Sequence, residues 1–262
     1  MKNFETITSK SNQKIKDSAA LLDSRERKKT GLFIAEGARL CEDAAKNGAE
    51  ILKLFITKKA SETYPDIFNT LSAAAKETYF VDEAAAKKLS DTEKSQNIFC
   101  VCRQKDDVNF PTENGFFVLT DNVQNPDNLG AISRSAEAFG ASGLLVSGGC
   151  DIYSPKALRA SMGALLRFPV IRCFDSAEKI RELKKLGFKV YGSVPDKSAE
   201  DIRFVDKSGK TVLVIGNEGA GMSEEAKNEC TSLVTIPMAG RAESLNAAAA
   251  GAVMMWEFLG RK

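Results

Sequence analysis

Hydrophobic and polar positions alternate along the chain in blocks that are typical of strands followed by helices. In the N-terminal part, short apolar runs predict four strands, near Leu32–Ala35, Ile51–Ile56, Thr78–Val81 and Ile98–Cys102. Stretches with a helical period surround them and predict helices at Asn12–Asp23, Ala38–Lys46, Phe68–Lys76 and Glu83–Lys88. Strands that alternate with helices in this way predict a small α/β domain over residues 1–106.

The C-terminal part shows the same alternation with more strands. Apolar runs predict strands near Phe116–Thr120, Gly143–Val146, Pro169–Cys173, Lys189–Val194, Val212–Ile215 and Leu233–Ile236, with helices between most of them. A polar stretch that contains a proline, ends in glycine and shows neither period separates the two parts. We therefore predict a linker at 107–115 and a second α/β domain over 116–262.

Three loops of one kind follow apolar strands of the second domain. They span residues 121–130, 216–221 and 236–246, and each combines glycine with polar side chains. In open α/β sheets, ligands bind outside the carboxyl ends of the strands. Three such loops in one half of the chain therefore predict a single binding site.

The helix after the third loop begins with very small residues. Positions 247–252 read Ala-Ala-Ala-Ala-Gly-Ala, although a glycine inside a helix costs about 1 kcal/mol relative to alanine. This composition predicts that other parts of the backbone pass very close to the helix. We also expect the Ser244 side chain to cap the helix.

The amino-acid composition limits which catalytic groups and metal sites the protein can have. The chain of 262 residues contains no histidine, which excludes Ser-His-Asp and Cys-His nucleophiles, a histidine base and histidine metal ligands. The six cysteines are scattered without a C-x-x-C pair, so we expect reduced, mostly buried thiols and no metal site. Group transfer from an activated donor fits this composition better than redox or hydrolytic metal chemistry, because it needs little acid–base catalysis from the protein.

No run of eighteen apolar residues and no signal-peptide pattern is present, so we expect a cytoplasmic protein without a membrane partner.

The charge is small overall but unevenly placed. The formal net charge is +2, and basic residues concentrate near the N-terminus, most densely in Arg25-Glu26-Arg27-Lys28-Lys29. Such a cluster could bind the phosphates of a nucleic acid. It is equally typical of a solvated helix end, where basic side chains complement the helix dipole. The sequence leaves both interpretations open.

Two common nucleotide-binding patterns do not fit. The glycines of 216–221 lack the G-x-G-x-x-G spacing of a nicotinamide-binding domain, and the segment lies late in its domain. A phosphate-binding P-loop is excluded because no Lys-Ser/Thr pair follows. A different mode of cofactor binding is needed.

Taken together, the three loops resemble the three motifs of the SpoU (TrmH-type) RNA ribose 2′-O-methyltransferases, which belong to the SPOUT superfamily. The first motif is matched by residues 125–136, the second by 216–221, and the third by 236–238 with 244–246. The stretch 153–164 is also similar to family members. All three motifs occur in order, so the resemblance covers the second domain as a whole.

The N-terminal half is similar to the substrate-binding domain of the ribosomal L30e/L7Ae type that often precedes this catalytic domain. The signals for this second resemblance lie chiefly in residues 30–42 and 92–101. It implies that the first domain binds the RNA substrate.

The resemblance also implies a fold, a cofactor and an assembly. The second domain is expected to have a parallel sheet and a deep trefoil knot, which general topology rules disfavour, and the protein is expected to be a homodimer with its active site near the subunit interface. The implied cofactor is S-adenosylmethionine, held largely by backbone atoms. The residues expected at the cofactor are Gly216, Asn217, Ile236, Met238, Ser244 and Leu245.

Roles for four further residues follow from the resemblance. Arg134 is the expected catalytic residue, which would hold the phosphate next to the target ribose and orient the 2′-hydroxyl. We expect positioning and charge stabilisation from it, because the pKa of arginine above 12 makes it a poor base. Asn128 is expected to brace its loop, and Glu218 to support its own turn. Asn246 either orients the substrate or cofactor or caps the last helix.

Two other functions remain open at this stage. One is a SPOUT enzyme that methylates an RNA base, which the presence of Arg134 disfavours. The other is a catalytically silent RNA-binding protein of the same fold, which the intact residues 244–246 disfavour.

Ile152 and Ala248 stand where relatives more often have proline and valine, which affects local packing only. Ribosomal RNA is the expected substrate ahead of transfer RNA, and the sequence does not identify the nucleotide.

Overall fold

A computed structural model describes residues 4–105 and 115–260, and these residues form an α/β protein with two sheets. The elements are, in chain order, β1 (Glu5–Ile7), α1 (Gln13–Ala20), α2 (Ser24–Thr30), β2 (Leu32–Glu36), α3 (Ala38–Lys46), β3 (Ile51–Ile56), α4 (Lys58–Thr63), α5 (Pro65–Ala74), β4 (Glu77–Val81), α6 (Glu83–Leu89), β5 (Ile98–Arg103), β6 (Phe116–Asp121), α7 (Pro126–Ala138), β7 (Gly143–Ser147), α8 (Pro155–Ala160), α9 (Ala164–Arg167), β8 (Val170–Cys173), α10 (Ser176–Lys185), β9 (Lys189–Ser193), β10 (Glu200–Asp201), β11 (Thr211–Ile215), α11 (Glu224–Glu229), β12 (Ser232–Thr235) and α12 (Ala247–Leu259).

The contacts divide the chain into two compact units. The first unit comprises Met1–Asp106 together with Tyr153–Arg167, and the second comprises Asp107–Ile152 together with Phe168–Lys262. The predicted linker at 107–115 lies outside the described residues except for Gly115, so the position of the boundary stays a prediction.

The first unit is built on a five-stranded sheet in the order β1-β4-β3-β5-β2. Strands β1, β4 and β3 are parallel, whereas β5 runs antiparallel to both β3 and β2. Phe55 and Phe99 are completely buried at its centre, in one apolar cluster with Ile15 of α1 and Leu89 of α6. All four strands predicted for this part are present, whereas the three-residue β1 was too short for its pattern to be recognised.

The helix predicted over Asn12–Asp23 is α1, which ends three residues earlier than predicted, at Ala20. Helix α2, which begins at Ser24, was not predicted. The carboxylate of Asp23 accepts a hydrogen bond from the Arg25 backbone N–H at 2.8 Å and caps α2. Aspartate is a strong N-cap residue, so a second helix starts where the hydrophobic pattern alone indicated the end of the first.

Residues 153–167 belong to the first unit although they lie between two strands of the second. The Tyr153 ring stacks on Phe33 with the ring centroids 4.8 Å apart, and the Tyr153 hydroxyl accepts a hydrogen bond from the Lys105 backbone N–H. Arg167 pairs with Asp43 at 2.7 Å. Nothing in the hydrophobic pattern indicated this grouping, because the pattern reports local structure only.

The second unit contains a seven-stranded sheet in the order β10-β12-β9-β11-β6-β7-β8, and all of its paired strands are parallel. The predicted parallel α/β domain is thereby confirmed, and its six predicted strands all occur. Strand β10 was not predicted, because two residues are too few to show a period. The trefoil knot stays a prediction.

Helices cover both faces of this sheet. Val212 and Val214 of β11 belong to an apolar cluster with Ile180 of α10 and Ala226 of α11. Ile215 points to the opposite face, since successive side chains of a strand alternate. There it meets α12 so closely that a Cβ added to Gly251 would lie 2.6 Å from the Ile215 Cδ1. A side chain of β11 therefore packs tightly against α12 at Gly251, and the passage of other backbone beside this helix stays a prediction.

The six cysteines are unpaired, as predicted. Cys41, Cys100 and Cys102 are buried, and the other three are half-buried. Burial raises the pKa of Cys150 and of Cys173 to about 11, so neither thiol is ionised at neutral pH. Among the described residues, no helix is both long and apolar enough to cross a membrane.

Candidate active site

The three loops singled out in the sequence emerge from the same edge of the second sheet. Strand β11 lies between β6 and β9, and β9 pairs in turn with β12. Because the strands are parallel, their carboxyl ends and the loops that follow β6, β11 and β12 meet at one edge. The predicted convergence of the three loops is confirmed.

The loop after β11 is a tight turn closed by its own backbone. Asn217 and Gly221 exchange two backbone hydrogen bonds, at 2.9 and 3.0 Å. The Asn217 side-chain oxygen accepts from the backbone N–H groups of Gly219 and Ala220, and its amide donates to the Asn122 carbonyl at 2.9 Å. The Asn217 side chain is therefore committed to shaping the loop.

Gly216 is required by the same turn. A Cβ at this position would lie 2.3 Å from the Met222 backbone nitrogen and 2.4 Å from the Gly221 carbonyl carbon. Backbone atoms of a closed turn cannot move aside as a flexible side chain can. Only glycine therefore fits where β11 enters its loop.

Glu218 braces the neighbouring loop instead of its own turn. Its carboxylate accepts hydrogen bonds from the backbone N–H groups of Gln124 at 3.1 Å and Asn125 at 3.0 Å, and from the Asn128 amide at 2.9 Å. All three donors belong to the segment that follows β6. The expectation that Glu218 supports its own turn is wrong in this respect, because the three donors lie 90 to 94 positions earlier in the chain.

These hydrogen bonds also set the charge of Glu218. Burial raises the pKa of its carboxyl, but the hydrogen bonds from Asn128 and from backbone N–H groups lower it further than burial raises it. The pKa consequently lies below its ordinary value. The side chain is an ionised acceptor at neutral pH, which is unsuitable for a general acid.

Asn128 and Asn246 extend the same network to the third loop. The buried Asn128 side chain accepts a hydrogen bond from the Asn246 amide at 3.0 Å while it donates to Glu218. The Asn246 oxygen accepts from the backbone N–H groups of Ala248 and Ala249, so Asn246 is the N-cap of α12. The predicted cap at Ser244 is wrong. Of the two roles considered for Asn246, the structure shows the capping role. The hydrogen bonds from Asn246 to Asn128 and from Asn128 to Glu218 link all three loops.

The six residues expected at the cofactor line one cleft, together with Glu218. The cleft encloses about 800 Å³, counting the space open to solvent, and lies between the ends of β9, β11 and β12 and the start of α12. Its walls are largely apolar, from Ile215, Ile236, Leu245 and Met254. Among the described residues, no cluster of three or more Cys, Asp or Glu side chains is arranged to hold a metal ion.

The third loop offers unpaired backbone groups to this cleft. From Pro237 to Leu245, no backbone N–H or C=O group forms a hydrogen bond within the described chain. Met238 and Leu245 nevertheless line the cleft. Backbone polar groups are strong hydrogen-bonding groups that need a partner when they are covered, so this loop is suited to bind the polar edge of a ligand.

One wall of the cleft was not predicted from the sequence. Ser193, Val194 and Pro195 line it from the end of β9. A strand that ends in serine and proline is a signal of the same kind as the three predicted loops. It was not recognised because Ser193 and Val194 lie inside the predicted strand Lys189–Val194.

Arg134 stands apart from the other candidates. It lies on α7, its side chain is exposed, and it does not line the cleft. Its side chain forms no hydrogen bond or ion pair with any described residue. The guanidinium is thus free to bind a group that comes from outside the chain.

The N-terminal basic cluster is not a continuous phosphate-binding surface. Arg27 is only 3% exposed, and its guanidinium donates to the backbone carbonyls of Leu21 at 2.7 Å and Leu22 at 2.9 Å. Arg25 is exposed but is held by Asp23. Of the two interpretations of this cluster, phosphate binding is excluded for Arg27, which is a structural residue of the α1–α2 corner.

This assignment predicts different effects for two neighbouring arginines. Arg27→Gln should lower the free energy of unfolding by about 1.5–3 kcal/mol, because one buried and one partly buried carbonyl lose a charged donor. Arg25→Gln, at an exposed position two residues away, serves as the control and should leave the urea midpoint nearly unchanged. Urea unfolding followed by circular dichroism measures both, and equal midpoints would contradict the structural role of Arg27.

Comparison with known proteins places this geometry in a family. Residues 115–256, more than half of the chain, match the SpoU rRNA Methylase family. The chain belongs to this family. In this SpoU-family protein, residues 12–100 additionally match the MRM3-like substrate binding domain. Both resemblances, the methyltransferase domain and the preceding substrate-binding domain, are confirmed.

Similarity to individual SpoU-family proteins extends over the whole chain. The 23S rRNA (guanosine(2553)-2′-O)-methyltransferase RlmP of Bacillus subtilis is 32% identical, over 98% of this chain and 100% of the relative. The 23S rRNA (uridine(2479)-2′-O)-methyltransferase of Streptomyces viridochromogenes is also 32% identical, over 96% of this chain and 90% of the relative. The crystal structure of an AdoMet-bound rRNA methyltransferase from Sinorhizobium meliloti superimposes with a TM-score of 0.86 at 30% identity and covers 97% of each chain.

Proposed function

We propose that this protein transfers a methyl group from S-adenosylmethionine to a ribose 2′-hydroxyl of 23S rRNA. The observation that carries the proposal is the 32% identity to RlmP over the full length of both chains. RlmP and the Streptomyces viridochromogenes relative are named for different nucleotides, a guanosine and a uridine. The similarity therefore supports the reaction and the class of RNA but does not select the nucleotide.

The cleft fits S-adenosylmethionine by the chemistry of its walls. Ile215, Ile236 and Leu245 offer apolar contacts to a flat adenine ring, and the loop 237–245 offers unpaired backbone groups to its polar edge. When bound, the cofactor supplies a methyl group on a positively charged sulfur, which is a good leaving group. The side chains of the cleft then need to hold and orient the reactants rather than activate them strongly.

Arg134 is suited to hold the RNA. A planar guanidinium engages a phosphate at two points, and Arg134 is exposed with no partner in the described chain. It lies on α7, the helix whose preceding loop Glu218 and Asn128 tie to the cofactor cleft. We assign to Arg134 the phosphate next to the target ribose, and to Asn128, Glu218 and Asn246 the task of fixing the loops.

The assembly proposed is a homodimer in the cytoplasm, where rRNA is accessible. A dimer is supported by α12, which exposes two apolar side chains. Trp256 is 52% exposed and Val253 is 45% exposed. Trp256 packs on one side against Phe139, at 5.8 Å between ring centroids, and its remaining surface is open to solvent. An exposed apolar stripe of this kind is typical of a subunit interface.

Two measurements test the proposed function. The purified protein is expected to bind S-adenosylmethionine in calorimetry, and 23S rRNA from cells that lack the gene is expected to lose one ribose 2′-O-methylation. Incubation of that rRNA with protein and cofactor should restore the mark at the same nucleotide. A methyl group on a base nitrogen would favour a base-methylating SPOUT enzyme, and cofactor binding without any lost mark would favour a silent RNA-binding protein.

A further inference from the structure

One carboxylate in the cleft has no assigned task. Glu243 lines the cleft from the third loop, and its side chain is exposed. It forms no hydrogen bond or ion pair with any residue that the structure describes. The other carboxylate in the cleft wall, Glu218, already accepts three hydrogen bonds from the loop after β6. Glu243 is therefore the anionic acceptor of this cleft that is available to a ligand.

The remaining polar side chains of the cleft cannot replace Glu243. The Asn217 amide is used within its own turn and toward Asn122. Ser193, Thr235 and Ser244 contribute only neutral hydroxyls. A ligand that presents hydroxyl donors to this wall consequently finds one strong acceptor, because hydrogen bonds to ionised groups are about twice as strong as neutral ones.

Charge restricts which part of a ligand can lie against Glu243. An RNA phosphate, or the carboxylate of an amino acid, would be repelled by the Glu243 carboxylate, which forms no ion pair with a described residue. Ribose hydroxyls are neutral donors, and a carboxylate is the group that other nucleotide-binding folds place against them. The loop from Pro237 to Leu245 has no hydrogen bonds that would hold Glu243 away from such a hydroxyl.

We propose that the Glu243 carboxylate accepts a hydrogen bond from a ribose hydroxyl bound in the cleft. The proposal rests on the proposed function, which brings two riboses to this site, one in the cofactor and one in the target nucleotide. Both present the same chemistry, and the experiment below distinguishes them. Glu243 would thereby contribute to orienting the reaction in a chain that has no histidine.

The test compares three variants of the full-length protein. Glu243→Gln keeps the size of the side chain and removes its charge, whereas Glu243→Ala removes the acceptor. Glu225→Gln is the matched control, since Glu225 is an exposed glutamate of α11 that does not line the cleft. The dissociation constant for S-adenosylmethionine is measured by calorimetry, and the single-turnover methylation rate is measured at saturating cofactor.

The two riboses give different results. If Glu243 binds the cofactor ribose, both Glu243 variants weaken cofactor binding by about 10-fold or more. In that case wild type also binds 2′-deoxy or 3′-deoxy S-adenosylhomocysteine less tightly than S-adenosylhomocysteine itself, whereas Glu243→Ala binds these compounds equally well. If it binds the target ribose, cofactor affinity is unchanged and the single-turnover rate falls by about 10-fold. Wild-type affinity and rate in both variants would overturn the proposal alone. A wild-type protein that binds no S-adenosylmethionine would overturn it together with the proposed function.

Discussion

Replacing Arg134 with alanine is expected to lower the single-turnover rate of methyl transfer by about 10²–10³, the typical cost of one charge-stabilising contact in an active site. Affinity for S-adenosylmethionine should stay near that of wild type, because Arg134 neither lines the cleft nor bonds to residues that do. Arg134→Lys should recover little activity, since an ammonium group cannot reproduce the two-point contact of a guanidinium with a phosphate. Calorimetry and single-turnover kinetics on the same preparation give both quantities.

The control for this prediction is Arg181→Ala. Arg181 is an exposed arginine of the same unit that pairs with Glu229 on the surface, so its loss removes a charge without touching the site. Near-normal turnover in Arg134→Ala would remove Arg134 from the mechanism. A loss of both cofactor affinity and turnover would instead make it a structural residue of the fold or of the dimer.

The second large effect is expected from Glu218→Ala. This change removes three hydrogen bonds that tie the loop after β6 to the loop after β11, and it leaves the buried Asn128 amide without its acceptor. A displacement of about 1 Å at reacting groups costs about 10²-fold in rate, and we expect a loss of this size. Cofactor affinity should fall as well, because Glu218 also lines the cleft.

Glu218→Gln separates the charge of this residue from its shape. Glutamine keeps one carbonyl oxygen for the Asn125 and Asn128 donors but loses the acceptor for Gln124, so an intermediate rate is expected. The pH dependence has a definite sign. Since the pKa of Glu218 is lowered in the folded protein, its stabilising contribution is complete above the ordinary pKa and is lost as the pH falls through the lowered value. A Glu218→Gln enzyme as active as wild type at neutral pH would show that the ionised carboxylate is dispensable.

Much of the fold could be predicted because its signals are local. Six of the seven strands of the second sheet are recognisable as apolar runs, and the loops after β6, β11 and β12 follow directly from three of these runs. The small-residue start of α12 likewise indicated close contact, which Gly251 makes with Ile215. Each of these inferences depends on a period or a composition within about twenty residues.

The parts that were missed depend on long-range partners. The donors to Glu218 lie 90 to 94 positions away in the chain, so its sequence neighbours suggested only a local turn. Asn246 and Ser244 are both good caps by type, and the choice of Asn246 follows from where α12 begins. Arg27 looked like a surface cation because its flanking residues are charged, whereas the corner between α1 and α2 buries it against two carbonyls.

The return of residues 153–167 to the first unit has a consequence for how such proteins can be recombined. Tyr153 depends on Phe33, Arg159 on Asp91 and Arg167 on Asp43, and all three partners lie in the N-terminal segment. A chimera that joins the N-terminal part of one relative to the C-terminal part of another at a single junction would mismatch these pairs. We therefore expect the two stretches of chain to be exchangeable between relatives only when both are moved together.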